Sequence, residues 1–425
     1  MYIKALTLKN FRGAESITLQ CDEHVNILVG MNGAGKSTLL DAAAIMLSWV
    51  VNRMKNLNAS ARPINDQDIR NGETFANIDI VCQDNQSEFK WSLAKIRKGH
   101  SRRELNSILS GATELAKNFQ HQITENNGKV NLPLLAYYPI NRAVLDIPLR
   151  IRTRHEFNLL DAYEGSLTSG ANFRSFFELF REREDLENEN RRYANEEIKP
   201  EGYEFPDPQL EAIRTALSQF MPDFSNLTVR RNPLRMEVEK NGQRLTVNQL
   251  SDGEKCLMAM IGDLAMRLAV VNPTLSNPLE GDGIILIDEI DLHLHPKWQR
   301  ILIPRLRQVF PNCQFIVSTH SPHIINHVMP THLHLLKVMN NTLSISNVNE
   351  SYGKNVDSIL EDIMGLDTTR PDSVYKSFST IYNLIHDGNL QLASVYVKKL
   401  KEEIGDDPEL VKTEVLIKRK ELIGK

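Results

Sequence analysis

Apolar and polar positions alternate from Ile3 to Phe11, the period of a half-buried strand. A second apolar run, Val25 to Val29, reads as a strand leading into a glycine-rich loop. Leu39, Leu40, Ala43 and Leu47 then fall at helical spacing and predict a helix from about Lys36 past Leu47. Residues 51–75 are polar and are expected to be irregular. Two alternating runs around Asp84-Asn85, residues 77–96, predict a hairpin, and Leu132 to Ile140 reads as a buried strand.

The pattern changes over residues 141–225. Phe173, Phe176, Phe177 and Phe180 lie on one side of a helical segment, and a dense charge run, Arg181 to Arg192, follows. This predicts a short helical arm with a solvated end, and Pro200, Pro206 and Pro208 mark a linker. Strands resume at Leu227, with a turn at Asn241-Gly242, and a long apolar helix follows Lys255. A buried strand (Gly283 to Ile287), a helix (about Lys297 to Val309) and a strand (Gln314 to Val317) come next. Two shorter strands near Leu333 to Val338 and Thr342 to Val348 close the series. Strands alternating with helices imply an α/β fold with a mainly parallel, mixed sheet. Residues 356–425 read as helices turning at Gly388-Asn389 and near Asp407-Pro408. The expected organisation is a first lobe (1–140), a helical arm inserted at 141–226, a second lobe (227–350) and a C-terminal helical region (351–425).

Composition narrows the class. At about 150 residues per domain, 425 residues make two or three domains. Lys+Arg number 50 against 54 Asp+Glu, for a net charge of −4, which excludes a uniformly basic nucleic-acid binder. DNA contact is then a matter of local patches, with Lys95, Arg97, Lys98, Arg102 and Arg103, or Arg150, Arg152 and Arg154, as candidates. Cys21, Cys82, Cys256 and Cys313 lie far apart without CxxC spacing, arguing against a zinc finger or disulfide scaffold and for a reducing cytosol. The N-terminus reads as a strand, not a signal peptide, and Asp263 and Arg267 interrupt the most apolar helix, Cys256 to Val271. A soluble, cytoplasmic protein with no membrane span is expected.

Four stretches carry phosphate chemistry, and a fifth raises the question of a metal. Gly30-Met31-Asn32-Gly33-Ala34-Gly35-Lys36-Ser37 matches G-x-x-x-x-G-K-[ST] between a strand and a helix, the context of a phosphate-binding loop. Its backbone N–H groups suit the β-phosphate, Lys36 the β- and γ-phosphates, and the Ser37 hydroxyl Mg²⁺. Gly283 to Ile287 ends in Asp288 and Glu289; Asp288 suits the magnesium shell and Glu289 a general base. Leu250-Ser251-Asp252-Gly253-Glu254-Lys255 precedes the long helix. Ser251 and the Gly253 N–H can bind a γ-phosphate, while Ser251 with Glu254 also reads as an N-capping box, and both readings can hold together. Ser318-Thr319-His320-Ser321-Pro322 places His320 after the next strand, where it can report a γ-phosphate. In Asp291-Leu292-His293-Leu294-His295-Pro296, a metal-binding HxH stands against a loop that contacts a second copy around Asp291.

In this order the motifs resemble the ABC ATPase superfamily. The opening Leu8-Lys9-Asn10-Phe11-Arg12-Gly13 is similar to the SMC/RecF branch. The DEIDLHLHP and STHSP stretches are closer still to RecF-like ATPases of prokaryotic defence systems, such as OLD nucleases and the Septu ATPase, which is also found beside some retrons. The resemblance implies a head-to-tail homodimer around two ATP molecules, each on one copy's Gly30–Thr38 loop and capped by Ser251 and Gly253 of the other. It implies that Phe11 and Arg12 lie near the nucleotide, that Glu289 activates water and that His320 senses the γ-phosphate. The Gln-loop region departs from the pattern: it reads Tyr137-Tyr138-Pro139-Ile140-Asn141-Arg142, with Asn141 or Arg142 as substitutes. OLD nucleases carry a C-terminal Toprim domain, whereas no acidic cluster of that type follows His320; if the system cuts nucleic acid, another chain is expected to do it, an HNH nuclease in Septu-like systems, with Tyr375 to Lys425 as its expected dock. A reverse transcriptase and its DNA/RNA product are further expected partners. A stand-alone RecF/SMC-like repair ATPase is the alternative. A transporter subunit fits least, since such subunits lack the NFRG opening and place the signature much nearer the phosphate loop.

Overall fold

A computed structural model describes residues 1–100, 106–140, 158–168, 170–196, 199–200, 203–339 and 342–423. The candidate basic residues Arg102, Arg103, Arg150, Arg152 and Arg154, and the proposed Gln-loop substitutes Asn141 and Arg142, lie outside them. The chain forms two compact units, Met1–Val356 and Asp357–Lys425.

The first unit opens with β1 (Tyr2–Phe11), β2 (Ala14–Gln20) and β3 (Val25–Val29), followed by α1 (Lys36–Lys55). Then come β4 (Phe75–Asp84), β5 (Ser87–Ile96), α2 (Ser110–Glu125) and β6 (Leu134–Tyr138). Next are α3 (Phe173–Asn190), α4 (Pro208–Phe220), β7 (Phe224–Arg231), β8 (Leu234–Lys240), β9 (Gln243–Thr246) and α5 (Asp252–Val271). β10 (Gly283–Ile287), α6 (Pro296–Val309), β11 (Cys313–Thr319), the short α7 (Pro322–Ile325), β12 (Leu333–Met339) and β13 (Thr342–Asn347) complete it.

The central sheet has the order β13-β12-β3-β11-β10-β6. Its strands from β12 to β6 run parallel, and β13 is an antiparallel edge. Strands β3, β6, β10 and β11 are buried along their whole length, as parallel strands covered on both faces must be. An antiparallel sheet, β2-β1-β4-β5, carries the alternating pattern read from Ile3 to Phe11, and β7-β8-β9 form a third. This is the mixed α/β fold expected, with the phosphate loop between β3 and α1.

Several elements escaped the sequence pattern. β2, α2 and α4 were not expected, and α1 runs on to Lys55 into a stretch read as irregular. The prolines mark a helix start as much as a linker: Pro208 sits in the first turn of α4 and Asp207 caps it, accepting from the Leu210 N–H at 2.8 Å. The charge run after Phe180 is not merely solvated. α3 continues to Asn190, with Glu184 bonded to Arg231 and the Val229 N–H, and Glu187 to Arg214. On the same buried face, one to three turns earlier, lie Phe173, Phe176, Phe177 and Phe180, each worth on the order of 2–3 kcal/mol, and Gly262 of α5 leaves room for the Phe176 ring.

The second unit packs α8 (Asp372–His386), α9 (Leu390–Ile404) and α10 (Pro408–Ile423) around Val374, Phe378, Ile381, Ile385, Val397 and Leu400. Arg370 ties it together, pairing with Asp407 at 3.0 Å. No helix among the described residues is long and apolar enough to cross a membrane.

Candidate nucleotide site

The site lies at the C-terminal ends of the parallel strands, where open α/β sheets place ligands. Register brings the motifs there side by side. Val29 pairs with Thr319 and Leu335, and Ile287 pairs with Val317 and Tyr138. The residues that follow, Gly30, Asp288 and His320, therefore leave neighbouring strands at one edge.

Met31, Asn32 and Gly33 are exposed, Ala34 is buried, and Ser37 and Thr38 are half-buried at the start of α1. No side chain caps α1, so its first N–H groups point into the loop with the positive end of the helix dipole. Lys36 is 6% exposed and its amine donates to the carbonyls of Gly30 at 3.0 Å and Met31 at 3.1 Å. Burial lowers the Lys36 pKa, while Asp288, Glu289 and Asp291 pull it back up.

Asp288 is buried and accepts the Ser318 hydroxyl at 2.5 Å. The same hydroxyl accepts the Glu289 N–H at 2.7 Å, so one serine sets both acidic residues. The chain turns through Glu289 with φ of 45°, a left-handed conformation costing a non-glycine residue on the order of 1 kcal/mol. That turn breaks the strand alternation that would otherwise send Asp288 and Glu289 to opposite faces. Asp291 accepts the Thr319 hydroxyl at 2.5 Å and the His320 N–H at 3.4 Å, joining the β10 and β11 ends. Burial, with the nearby Lys36 charge, holds His320 below its ordinary pKa, so its imidazole is neutral at pH 7.

Arg12, also left-handed at φ 49°, bonds Asp68 and Asp41 at 2.9 Å each and stacks its charge on Phe11. Burial opposes that charge, but the two carboxylates outweigh it and raise the Arg12 pKa. Asp41 lies on α1 five residues beyond Lys36, so the NFRG turn braces the helix that begins at the phosphate loop. Tyr137 was not singled out. Its phenol is pushed above its ordinary range by burial and by the nearby charges of Asp41 and Asp288. Alternation along β6 was the available signal: Tyr138 faces the other way, donating to Asp263 of α5 at 2.8 Å.

The signature turn stands apart. Ser251 and Glu254 form the capping box, with Ser251 N–H and hydroxyl donating to Glu254 Oε2 at 2.9 and 2.8 Å. A Cβ on Gly253 would sit 2.2 Å from the His293 carbonyl oxygen, so the turn presses on the loop after Glu289. Among the described residues no hydrogen bond joins Ser251 or Gly253 to the chain's own phosphate loop. His295 of the HxH pair caps α6, accepting the Lys297 N–H at 3.2 Å, and among the described residues no three His, Cys, Asp or Glu side chains gather as a metal-binding group.

Fold and site together define an ABC-type P-loop ATPase head. The RecF/RecN/SMC N-terminal domain model matches residues 2–344. The chain is 34% identical over 386 residues to Retron Ec83 probable ATPase of Escherichia coli, covering 78% of this chain and 70% of that protein. It is 32% identical over 382 residues to Retron Vc95 probable ATPase of Vibrio cholerae serotype O1 biovar El Tor, covering 80% and 74%. It is 42% identical over 94 residues to Septu protein PtuA of Bacillus thuringiensis, covering 21% and 24%. The chain belongs to the RecF/RecN/SMC N-terminal domain family and is an ATPase of that family.

Proposed function

We propose that this chain binds ATP with Mg²⁺ at the edge of its parallel sheet and hydrolyses ATP when a second copy completes the site. That cycle governs a separate HNH-type nuclease in a cytoplasmic anti-phage defence complex. One observation carries the reading. Lys36, Asp288, Glu289 and His320 gather at one edge of the sheet, whereas Ser251 is exposed and, among the described residues, bonded only within its own turn. A site missing its cap, and a cap without a site, call for two copies head to tail.

The residues fit the ligand. The loop mouth at Gly33 is open, with nothing within 4 Å of a Cβ there, so a phosphate has room beside the α1 N-terminus. The Lys36 amine, held by two carbonyls, can turn to the phosphates. A bound magnesium ion supplies positive charge to the phosphate oxygens; the Ser37 hydroxyl and Asp288 carboxylate are the oxygen donors to hold it. Glu289 takes a proton from the attacking water, and neutral His320 donates or accepts a hydrogen bond at the γ-phosphate without repelling Lys36. Ser251 and the Gly253 N–H of the second copy close the site and exclude water.

The retron and Septu names of the relatives support the defence setting, and with it a partner nuclease and a reverse transcriptase with its DNA/RNA product. Direct DNA contact through Lys95, Arg97 and Lys98 is part of the same reading, although Lys95 pairs with Asp66 at 3.3 Å. The decisive variant is Glu289→Gln. It should keep ATP binding, slow hydrolysis by about 10²–10⁴-fold and lengthen the lifetime of an ATP-bound dimer seen by light scattering. Turnover at the wild-type rate would refute the base assignment. Purification from the native operon with mass analysis should recover the nuclease; its absence from the complex would remove the partner claim.

A further inference from the structure

The phosphate loop is backed by a part of the chain that none of the four motifs includes. A Cβ on Gly30 (φ 153°) would lie 2.4 Å from the Leu336 carbonyl oxygen of β12. A Cβ on Gly35 (φ 85°) would lie 2.5 Å from Leu343 Cδ1 and 2.7 Å from its Cδ2, on β13. The first and last glycines of the loop therefore both touch the β12–β13 pair. The same Leu343 reaches Gly13 in the NFRG turn, where Cδ1 would stand 3.6 Å from a Cβ. Leu343 is 4% exposed, so it fills the space among these elements. The neighbouring Thr342 is anchored: it accepts from Arg70 and donates to Glu15, both at 3.2 Å, and Arg70 pairs with Glu15 at 2.7 Å.

A glycine loop is a poor holder of its own shape, because glycine has the most backbone freedom to lose. Anion binding needs its N–H groups already aimed, since any freedom frozen on binding is subtracted from affinity. A wall that touches the two end glycines removes that freedom beforehand. Resting on the ATP reading above, we infer that β12–β13 is this wall and that Leu343 is a positioning residue for the nucleotide. It acts through Gly35 and the Gly13 turn and touches no phosphate itself.

The test is Leu343→Ala in the full chain, with ATP affinity by calorimetry and turnover against ATP concentration. Affinity should fall and KM rise by about tenfold, with kcat within about twofold of wild type, because alignment is lost and the acidic residues are untouched. Leu343→Met, which refills the space, should restore most of the affinity. If Leu343→Ala does not fold, Leu343→Val serves, with an expected KM rise of about threefold. A cavity that only weakens the fold would lower the nucleotide-free melting temperature and leave affinity unchanged; that result overturns the inference. Wild-type protein run beside it separates the claims. If wild type ignores ATP, the ATP reading fails; if wild type binds and Leu343→Ala binds equally, only the wall fails.

Discussion

The glycine cradle and the signature turn are both helix starts, yet they are finished to opposite degrees. At the cradle, α1 begins without a side-chain cap and its lysine rests on backbone carbonyls. At the signature turn, α5 begins with a complete capping box, and Glu254 is bonded by Ser251 and by Lys240 as well. Burial opposes the Glu254 charge, but Lys240 and Ser251 outweigh it and lower its pKa. The difference teaches that the two halves of one proposed site hold their shapes by different means. The cradle is shaped by tertiary contacts, among them those of Gly30 and Gly35 to the β12–β13 pair, whereas the turn is held chiefly by its own Ser251–Glu254 box, with Lys240 and the His293 carbonyl beside it.

The largest expected effect on ATP binding tests the cradle. Lys36→Ala should weaken ATP binding about 10–100-fold, the 1.5–3 kcal/mol of a hydrogen bond to a charged group, while barely changing nucleotide-free stability. Titration calorimetry with melting curves checks both, and unchanged affinity would deny the cradle its role. Next, Ser251→Ala should cost about 1 kcal/mol of stability through the lost cap and should stop turnover, yet leave ATP binding to an isolated copy intact. If turnover survives, the turn is only a cap and the contrast between the two helix starts loses its functional meaning.

The smallest effect sharpens the electrostatics. His320 is neutral in the free protein because burial and Lys36 lower its pKa. A negative triphosphate beside it should raise that pKa, so binding takes up a proton. Affinity should therefore rise as pH falls from neutral, and level off below the lowered value, where the free protein is protonated too. Calorimetry in buffers of different ionisation enthalpy should show uptake of under about one proton per site, abolished in His320→Asn. Proton release, or no exchange at all, would separate His320 from the phosphates.

Much of this site was legible in the residues. A G-x-x-x-x-G-K-S run between strand and helix, an apolar strand ending in Asp288-Glu289, and a capping box before an apolar helix are local patterns that name their own geometry. What stayed hidden depended on register or distant packing. Tyr137 faces Asp41 only because β6 pairs with β10 in a register that leaves Tyr138 to Asp263. The Glu184 and Glu187 carboxylates looked solvated because their partners, Arg231 and Arg214, come from later in the chain.

The chain by itself determined its strand and helix periods, the residue pattern of its phosphate loop and the capping box of its signature turn, because each is written in residues a few positions apart. Only the tertiary structure decided which ends meet. It set one serine under both Asp288 and Glu289, tied Arg12 to Asp41 and Asp68, and laid Leu343 behind Gly35, far back along the chain. Such meetings follow from sheet order and burial, which depend on the free energy of the whole chain and on no single stretch of it.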